Sequence, residues 1–75
     1  MEENIKITHG NGLVTEIPAR EVSGTSFVRG RDLFHFLVYS RIGTNAWKIS
    51  EFTSRADANA ERQKIEREYA RIMWP

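Results

Sequence analysis

The chain has 75 residues and no cysteine, and its formal net charge at pH 7 is +1. One small domain fits this length, and disulfides, thiolate metal sites and a cysteine nucleophile are excluded. The low net charge argues against a strongly basic nucleic-acid-binding protein, and no apolar run approaches the roughly 18 residues that span a membrane. The acidic start lacks the basic and apolar regions of a signal peptide. We therefore expect a soluble, cytoplasmic protein without membrane contact.

The first predicted element is a β-hairpin near the N-terminus. Residues 5–8 and 13–17 have strand-like composition, and they flank Gly10-Asn11-Gly12, a tight-turn sequence. A phosphate-binding loop would need a helix directly after the glycines, whereas strand-forming residues follow them. Residues 19–26 predict a loop or an irregular edge strand.

A longer antiparallel unit is predicted between residues 27 and 52. Gly30-Arg31 is expected to form a hairpin loop that places Phe27 opposite Phe34, a favourable aromatic pair. Residues 33–42 form the longest predicted strand, and a turn at residues 44–45 connects them to residues 47–52. The register that this turn predicts pairs Ile42 with Trp47, Ser40 with Ile49 and Leu37 with Phe52.

The alternation of side chains along these strands divides them between two faces. The predicted core face holds Phe27, Phe34, Phe36, Val38, Ile42, Trp47 and Ile49. The predicted second face holds Val28, Leu33, His35, Leu37, Tyr39, Arg41, Lys48 and Phe52. Large apolar groups lie on both faces, so both faces need a cover.

The C-terminal third predicts one α-helix at about residues 55–73. Ser54 and Asp57 match a capping box, and no glycine or proline interrupts the residues that follow up to position 73. Apolar residues recur with helical spacing on one stripe, which consists of Ala58, Ile65, Tyr69 and Ile72. We therefore predict a single α+β domain: a small antiparallel sheet of three to five strands followed by one C-terminal helix packed on one sheet face.

The helix-free second face is the predicted site of function. A single helix covers one face of a sheet, so the other face is left for the N-terminal hairpin, a second copy of the chain or a partner. We predict a non-enzymatic interaction module that uses this face to bind a protein partner or itself as a homodimer. The predicted contacts are Leu33, His35, Leu37, Tyr39, Arg41, Lys48 and Phe52.

Two alternative functions remain open at this point. Basic side chains interleaved with aromatic rings suit phosphate contacts and base stacking, so a DNA-binding module is one alternative. Its predicted nucleic-acid contacts are Arg29, Arg31, Arg41 and Lys48. A small protein inhibitor of a larger cellular machine fits the size of the chain equally well.

The sequence contains no pattern that predicts catalysis. His9 and His35 lack partners at catalytic or metal-ligand spacing, and we expect them in a turn and on a sheet surface. We therefore predict no enzyme activity, no cofactor, no metal ion and no small-molecule substrate. Trp74 is predicted either to fold back onto the domain or to join a contact surface.

Overall fold

The computed structural model describes residues 3–74, which form two antiparallel sheets and one α-helix. In chain order the elements are β1 (Asn4–Thr8), β2 (Val14–Pro18), a short 3-10 helix (Ala19–Glu21), β3 (Val22–Thr25), β4 (Arg29–Gly30), β5 (Phe34–Ser40), β6 (Ala46–Phe52) and α1 (Arg55–Met73). β1 and β2 form a separate hairpin, whereas β5 is flanked by β6 on one side and by β3 and β4 on the other. The predicted α+β fold with one C-terminal helix is confirmed, and its described strands divide into two sheets.

Helix α1 begins where the capping pattern predicts. The Ser54 hydroxyl oxygen accepts a hydrogen bond from the Asp57 backbone N–H at 3.3 Å, which satisfies one of the amides that a helix start leaves unpaired. Ala58 and Ile65 are buried, and Tyr69 packs against the same core. The helix therefore contacts the sheet through the stripe that its sequence spacing predicts.

The four-stranded sheet buries the face that carries Phe36, Val38 and Ile49, here called the inner face. These side chains belong to one continuous core cluster with Ile65 of α1. Burial of large side chains of this kind contributes roughly 1.5–3 kcal/mol each to folding. The core of the molecule therefore lies between the inner face and the helix.

The N-terminal hairpin forms as predicted and packs on the inner side of the molecule. Its register pairs Ile5 with Ile17, and both side chains belong to the core cluster around Phe36. The tip of the hairpin is attached to β6, because the Gly10 N–H donates to the Ser50 carbonyl oxygen at 3.0 Å. The hairpin and the helix thus share one side of the four-stranded sheet.

The register between β5 and β6 differs from the prediction. The structure pairs Phe36 with Ile49. The predicted pairs Ile42–Trp47, Ser40–Ile49 and Leu37–Phe52 are wrong. The connection is longer than predicted, because the Ser40 hydroxyl donates to the Ile42 carbonyl oxygen at 2.8 Å and accepts from its N–H at 3.1 Å. Such local side-chain bonds compete with strand pairing and end β5 early.

A bulge in β6 turns Phe52 onto the inner face. Glu51 has a φ of 68°, in the left-handed region, and the pairing with β5 shifts beside it. The extra residue in β6 reverses the alternation that follows it. Phe52 is therefore only 5% exposed, and its ring stacks on Phe36 with centroids 6.0 Å apart. The prediction that placed Phe52 on the second face is wrong.

The hairpin that precedes β5 is also shifted. Gly30 pairs with Phe34, so the predicted pair of Phe27 with Phe34 is wrong. Gly30 has a φ of 128°, and a Cβ at this position would overlap the Leu33 carbonyl oxygen. Glycine is therefore required here, and it lies at the end of β4 instead of inside the loop.

This shift exchanges the faces of Phe27 and Val28. Val28 is buried, and its carbonyl oxygen accepts a hydrogen bond from the Arg55 guanidinium at 3.0 Å. Phe27 is 81% exposed. The register with β5 is shifted by three residues from the predicted one, and a shift by an odd number of residues turns every side chain of a strand to the other face. Ile42, also predicted in the core, lies beyond β5 and is 63% exposed.

We expect Gly10→Ala to destabilise the fold. A Cβ at this position would overlap the Glu51 carbonyl oxygen, so the hairpin tip and β6 would have to separate, at a cost of about 1–3 kcal/mol in the free energy of unfolding. Gly24→Ala is the matched control, because a Cβ there meets no atom within 4 Å. Denaturant unfolding measures both variants, and equal midpoints would contradict this contact.

Core truncation should be far more damaging than surface truncation. Phe36→Ala and Ile65→Ala should each lower the free energy of unfolding by roughly 2–5 kcal/mol, because each leaves a cavity in the core. Arg67 is exposed, and Arg67→Ala should change the free energy by less than about 0.5 kcal/mol. Thermal unfolding followed by circular dichroism ranks the three variants, and the reverse order would show that the faces are assigned incorrectly.

Candidate interaction surface

The face of the four-stranded sheet that points away from the helix carries exposed apolar side chains and is here called the outer face. Leu37 and Tyr39 alternate with the buried Phe36 and Val38 along β5, so they point to this side. Phe27 precedes the buried Val28 and is turned away from the core. We define the outer patch as Phe27, Leu33, Leu37 and Tyr39; Leu33 continues the alternation just before β5 and is exposed.

Basic side chains lie beside the outer patch. Lys48 pairs with Leu37 across β5 and β6, and Arg29 pairs with His35 across β4 and β5. Directly opposed residues share a face, so these cations lie on the outer face. Arg31 is exposed in the turn after β4. Among residues 3–74, Arg29, Arg31 and Lys48 have no ion-pair or side-chain hydrogen-bond partner.

Three cations of the helix differ, because acidic neighbours neutralise them. Arg62 bonds to Glu66 at 3.3 Å, and Lys64 bonds to Glu61 at 3.3 Å. Arg71 donates to Glu68 at 2.9 Å, and this hydrogen bond raises the pKa of the Arg71 guanidinium. Arg29, Arg31 and Lys48 therefore keep their positive charge uncompensated at the outer face and its turn, while Lys6, Arg55 and Arg67 lack an ion-pair partner elsewhere among residues 3–74.

Arg41 does not belong to the outer face, although the sequence pattern placed it there. Its guanidinium donates to the Tyr69 hydroxyl of α1 at 2.6 Å, and its backbone N–H donates to the Glu21 carbonyl oxygen at 2.7 Å. β5 ends at Ser40, so the alternation along the strand does not continue to the next residue. The prediction that placed Arg41 on the second face is wrong, and its side chain instead connects the sheet to the helix.

Phe27 is the member of the outer patch that the sequence pattern does not predict there. It was assigned to the core because a hairpin loop at Gly30-Arg31 would place it opposite Phe34. The one signal that could have corrected the assignment is Gly30 itself, since a glycine with positive φ can also end a strand. Of the other predicted contacts, Leu33, His35, Leu37, Tyr39 and Lys48 lie on or beside the outer face.

Trp74 lies on the opposite side of the molecule. Its ring packs edge-on against Tyr69 with centroids 5.4 Å apart, yet it remains 70% exposed. It borders a groove of about 270 Å³ between β3 and α1, whose apolar lining includes Val22 and Ile65. Trp74 thus folds back onto the helix and is still accessible.

A cavity of about 490 Å³ lies between the hairpin tip, the end of β6 and the first half of α1. His9 Nδ1 accepts from the Ser50 N–H at 3.2 Å, so its Nε2 carries the proton and donates to Thr15 Oγ1 at 2.7 Å. The Glu61 carboxylate accepts from the Thr8 N–H at 3.2 Å. The histidine and the carboxylate of this cavity therefore hold the hairpin against the sheet and the helix.

Within residues 3–74, no three His, Cys, Asp or Glu side chains are grouped as the ligands of a metal ion would be. In the same part of the chain, no helix combines the length and the apolar character needed to cross a membrane.

The outer face combines exposed apolar side chains with cations that have no internal partner. Such a surface can bury apolar area against another molecule and can attract negative charge. Comparison of the chain with models of protein families, with curated proteins and with solved structures finds no match.

Proposed function

We propose that this chain is a non-enzymatic interaction module that binds another protein through the outer face of its four-stranded sheet. The observation that carries the proposal is the outer patch, in which the exposed Leu33 and Tyr39 lie on either side of the half-buried Leu37 and the preceding segment adds Phe27, which is 81% exposed. Exposed apolar surface of this kind marks binding sites, because its burial contributes about 25 cal/mol per Å². We also propose that the protein acts in the cytoplasm, as the sequence predicts.

The hydrogen bonds of the polar groups in the cavity beside the hairpin tip favour a binding function over a catalytic one. In the larger cavity, both ring nitrogens of His9 and the Glu61 carboxylate are engaged in hydrogen bonds that fasten the hairpin. A general acid or base must have a free atom to exchange a proton with a substrate. The outer face offers apolar side chains that are not engaged in this way.

A second copy of the chain is a less favourable partner than a different protein. A two-fold dimer through the outer face would place this surface against itself. Arg29 and Lys48 of both copies would then share one interface, and Glu51 is the only acidic residue in the described strands β3 to β6. Like charges in a desolvated interface are costly, so the charge pattern favours a different protein.

Nucleic acid is a second candidate partner, and one observation favours it. Arg29, Arg31 and Lys48 are exposed cations without an internal partner among residues 3–74, and the rings of Phe27 and Tyr39 are exposed on the same side. Cations and rings in this combination suit phosphates and bases. A protein that inhibits a larger machine would use the same face, so that alternative is one form of protein binding.

The substitution Leu37→Glu tests the proposal. We expect the variant to remain folded, because Leu37 is on the outer face, whereas Val38→Glu on the next residue should unfold the protein by burying a charge. Proteins captured from the source cells by the wild type should be identified, purified and titrated against both folded proteins. Leu37→Glu should weaken their binding at least about 10-fold, which is 1.4 kcal/mol.

Val14→Glu is the control for that binding experiment, since Val14 is an exposed apolar residue on the N-terminal hairpin. It should bind as the wild type does. If Leu37→Glu unfolds as Val38→Glu does, the outer face is part of the core and the proposal is wrong. Equal loss of binding in Leu37→Glu and Val14→Glu would also contradict it.

A labelled 20-nucleotide DNA, single-stranded or duplex, tests the second candidate by fluorescence anisotropy. We expect binding no tighter than about 10⁻⁴ M at physiological salt, at the weak end of non-specific DNA binding. Lys48→Ala and Lys64→Ala provide a matched pair, because Lys64 is on the helix and is neutralised by Glu61. Tighter binding that Lys48→Ala weakens and Lys64→Ala does not would establish nucleic acid as the partner.

A further inference from the structure

We infer that the partner of the outer face is an acidic amphipathic segment of another protein, with apolar side chains on one side and Asp or Glu side chains directly beside them. The inference rests on the proposed function and specifies the chemistry of its partner. It follows from where the structure leaves charge uncompensated, from how closely cations and apolar groups are interleaved, and from the open shape of the surface.

The first argument is the distribution of charge. Lys48 and Arg29 lie on the outer face, and Arg31 lies in the adjoining turn, with no internal partner among residues 3–74. The acidic residues of α1 that form ion pairs are used within the helix: Glu61 with Lys64, Glu66 with Arg62 and Glu68 with Arg71. A partner with negative charge at its rim therefore complements the outer face, and its approach is favoured electrostatically.

The second argument is the spacing of cations and apolar groups. Lys48 is the direct cross-strand partner of Leu37, and neighbouring strands lie about 4.8 Å apart. Arg29 follows Phe27 by two residues, which is the same-side spacing of an extended chain. A partner that packs an apolar side chain on Leu37 or Phe27 can therefore pair with the neighbouring Lys48 or Arg29. To do so, it needs a carboxylate directly beside its apolar side chain.

The third argument is the shape of the surface. The cavity beside the hairpin tip and the groove between β3 and α1 are both lined by residues outside the outer patch. The outer face is a sheet surface that α1 and the N-terminal hairpin leave open. A segment laid across it would form a second layer on the sheet, as α1 does on the inner face.

The same features disfavour nucleic acid. Duplex-binding proteins typically make about 6–10 phosphate contacts, and the outer face with its turn provides three arginine and lysine side chains, Arg29, Arg31 and Lys48. Leu33 and Leu37 are aliphatic and offer no ring on which a base could stack. They instead match the apolar side of a protein segment.

The test is selection of binding peptides from a library of random 12-residue sequences displayed on phage, with immobilised full-length wild-type chain as the target. We expect the enriched peptides to combine apolar residues with Asp or Glu. Synthetic copies titrated by fluorescence anisotropy should bind at least 10-fold more weakly to Leu37→Glu and several-fold more weakly to Lys48→Ala. Lys64→Ala and Val14→Glu, as controls, should bind like the wild type.

Charge reversal gives a readout that loss of packing would not reproduce. A synthetic peptide in which the acidic residues are replaced by Lys should bind the Lys48→Glu variant better than it binds the wild type. The original acidic peptide should show the opposite preference, and raising the salt concentration should reduce both preferences.

The possible failures are distinguishable. If the enriched peptides are apolar but not acidic, and if they bind Leu37→Glu more weakly than the wild type, this inference is wrong and the proposed function stands. Peptides that bind Leu37→Glu as well as the wild type would overturn both. Enrichment of no peptide would overturn the inference, because short acidic amphipathic sequences are abundant in the library. If a single-stranded 20-nucleotide DNA displaces the labelled peptides at a lower concentration than the unlabelled peptides do, the face is assigned to nucleic acid instead.

Discussion

Strand β5 carries large apolar side chains on both of its faces, and the rest of the fold depends on how these are covered. Phe36 and Val38 point to the inner face, while Leu37 and Tyr39 point to the outer face. Both edges of β5 are occupied by other strands, so its backbone is paired and only the two faces remain. Among residues 3–74, the elements outside this sheet are one α-helix, one small hairpin and one short 3-10 helix. The chain can therefore cover one face well or both faces poorly.

The structure shows the first solution. Helix α1 and the N-terminal hairpin both pack on the inner side, where Ile65 and Ile5 join Phe36 in one cluster. The bulge at Glu51 adds the ring of Phe52 to that side. Polar contacts such as those of His9 fix the hairpin against β6. A small core becomes well packed in this way, at the expense of an outer face on which Leu33 and Tyr39 stay exposed and Leu37 stays half-buried.

Local chemistry made the helix and the N-terminal hairpin predictable, because their signals lie within a few residues of each other. Ser54 caps the helix, and the burial of Ala58 and Ile65 follows the predicted 3.6-residue spacing. The division of side chains between the sheet faces was predicted correctly along β5 and for Trp47, Lys48 and Ile49 of β6, and wrongly for Phe27, Val28 and Phe52. Phe27 and Phe52 lie on the faces opposite to those predicted, because the register before β5 is shifted by three residues and the bulge in β6 adds one. A shift by an odd number of residues reverses the alternation. The causes of both shifts are contacts between distant residues, which a periodicity cannot contain.

The central claim is that two successive residues of β5 lie in different environments: Leu37 faces solvent on the outer face, and Val38 is buried on the inner face. Nuclear magnetic resonance with a soluble, uncharged paramagnetic agent measures this directly through the relaxation of methyl groups in the isolated wild-type chain. The methyl groups of Leu37 and Leu33 should relax strongly in proportion to the agent, and those of Val38, Ile49 and Ile65 should be unaffected. If the methyl groups of Leu37 are as protected as those of Val38 in a chain that sediments as a monomer, the outer face is covered by the chain itself and the account is wrong.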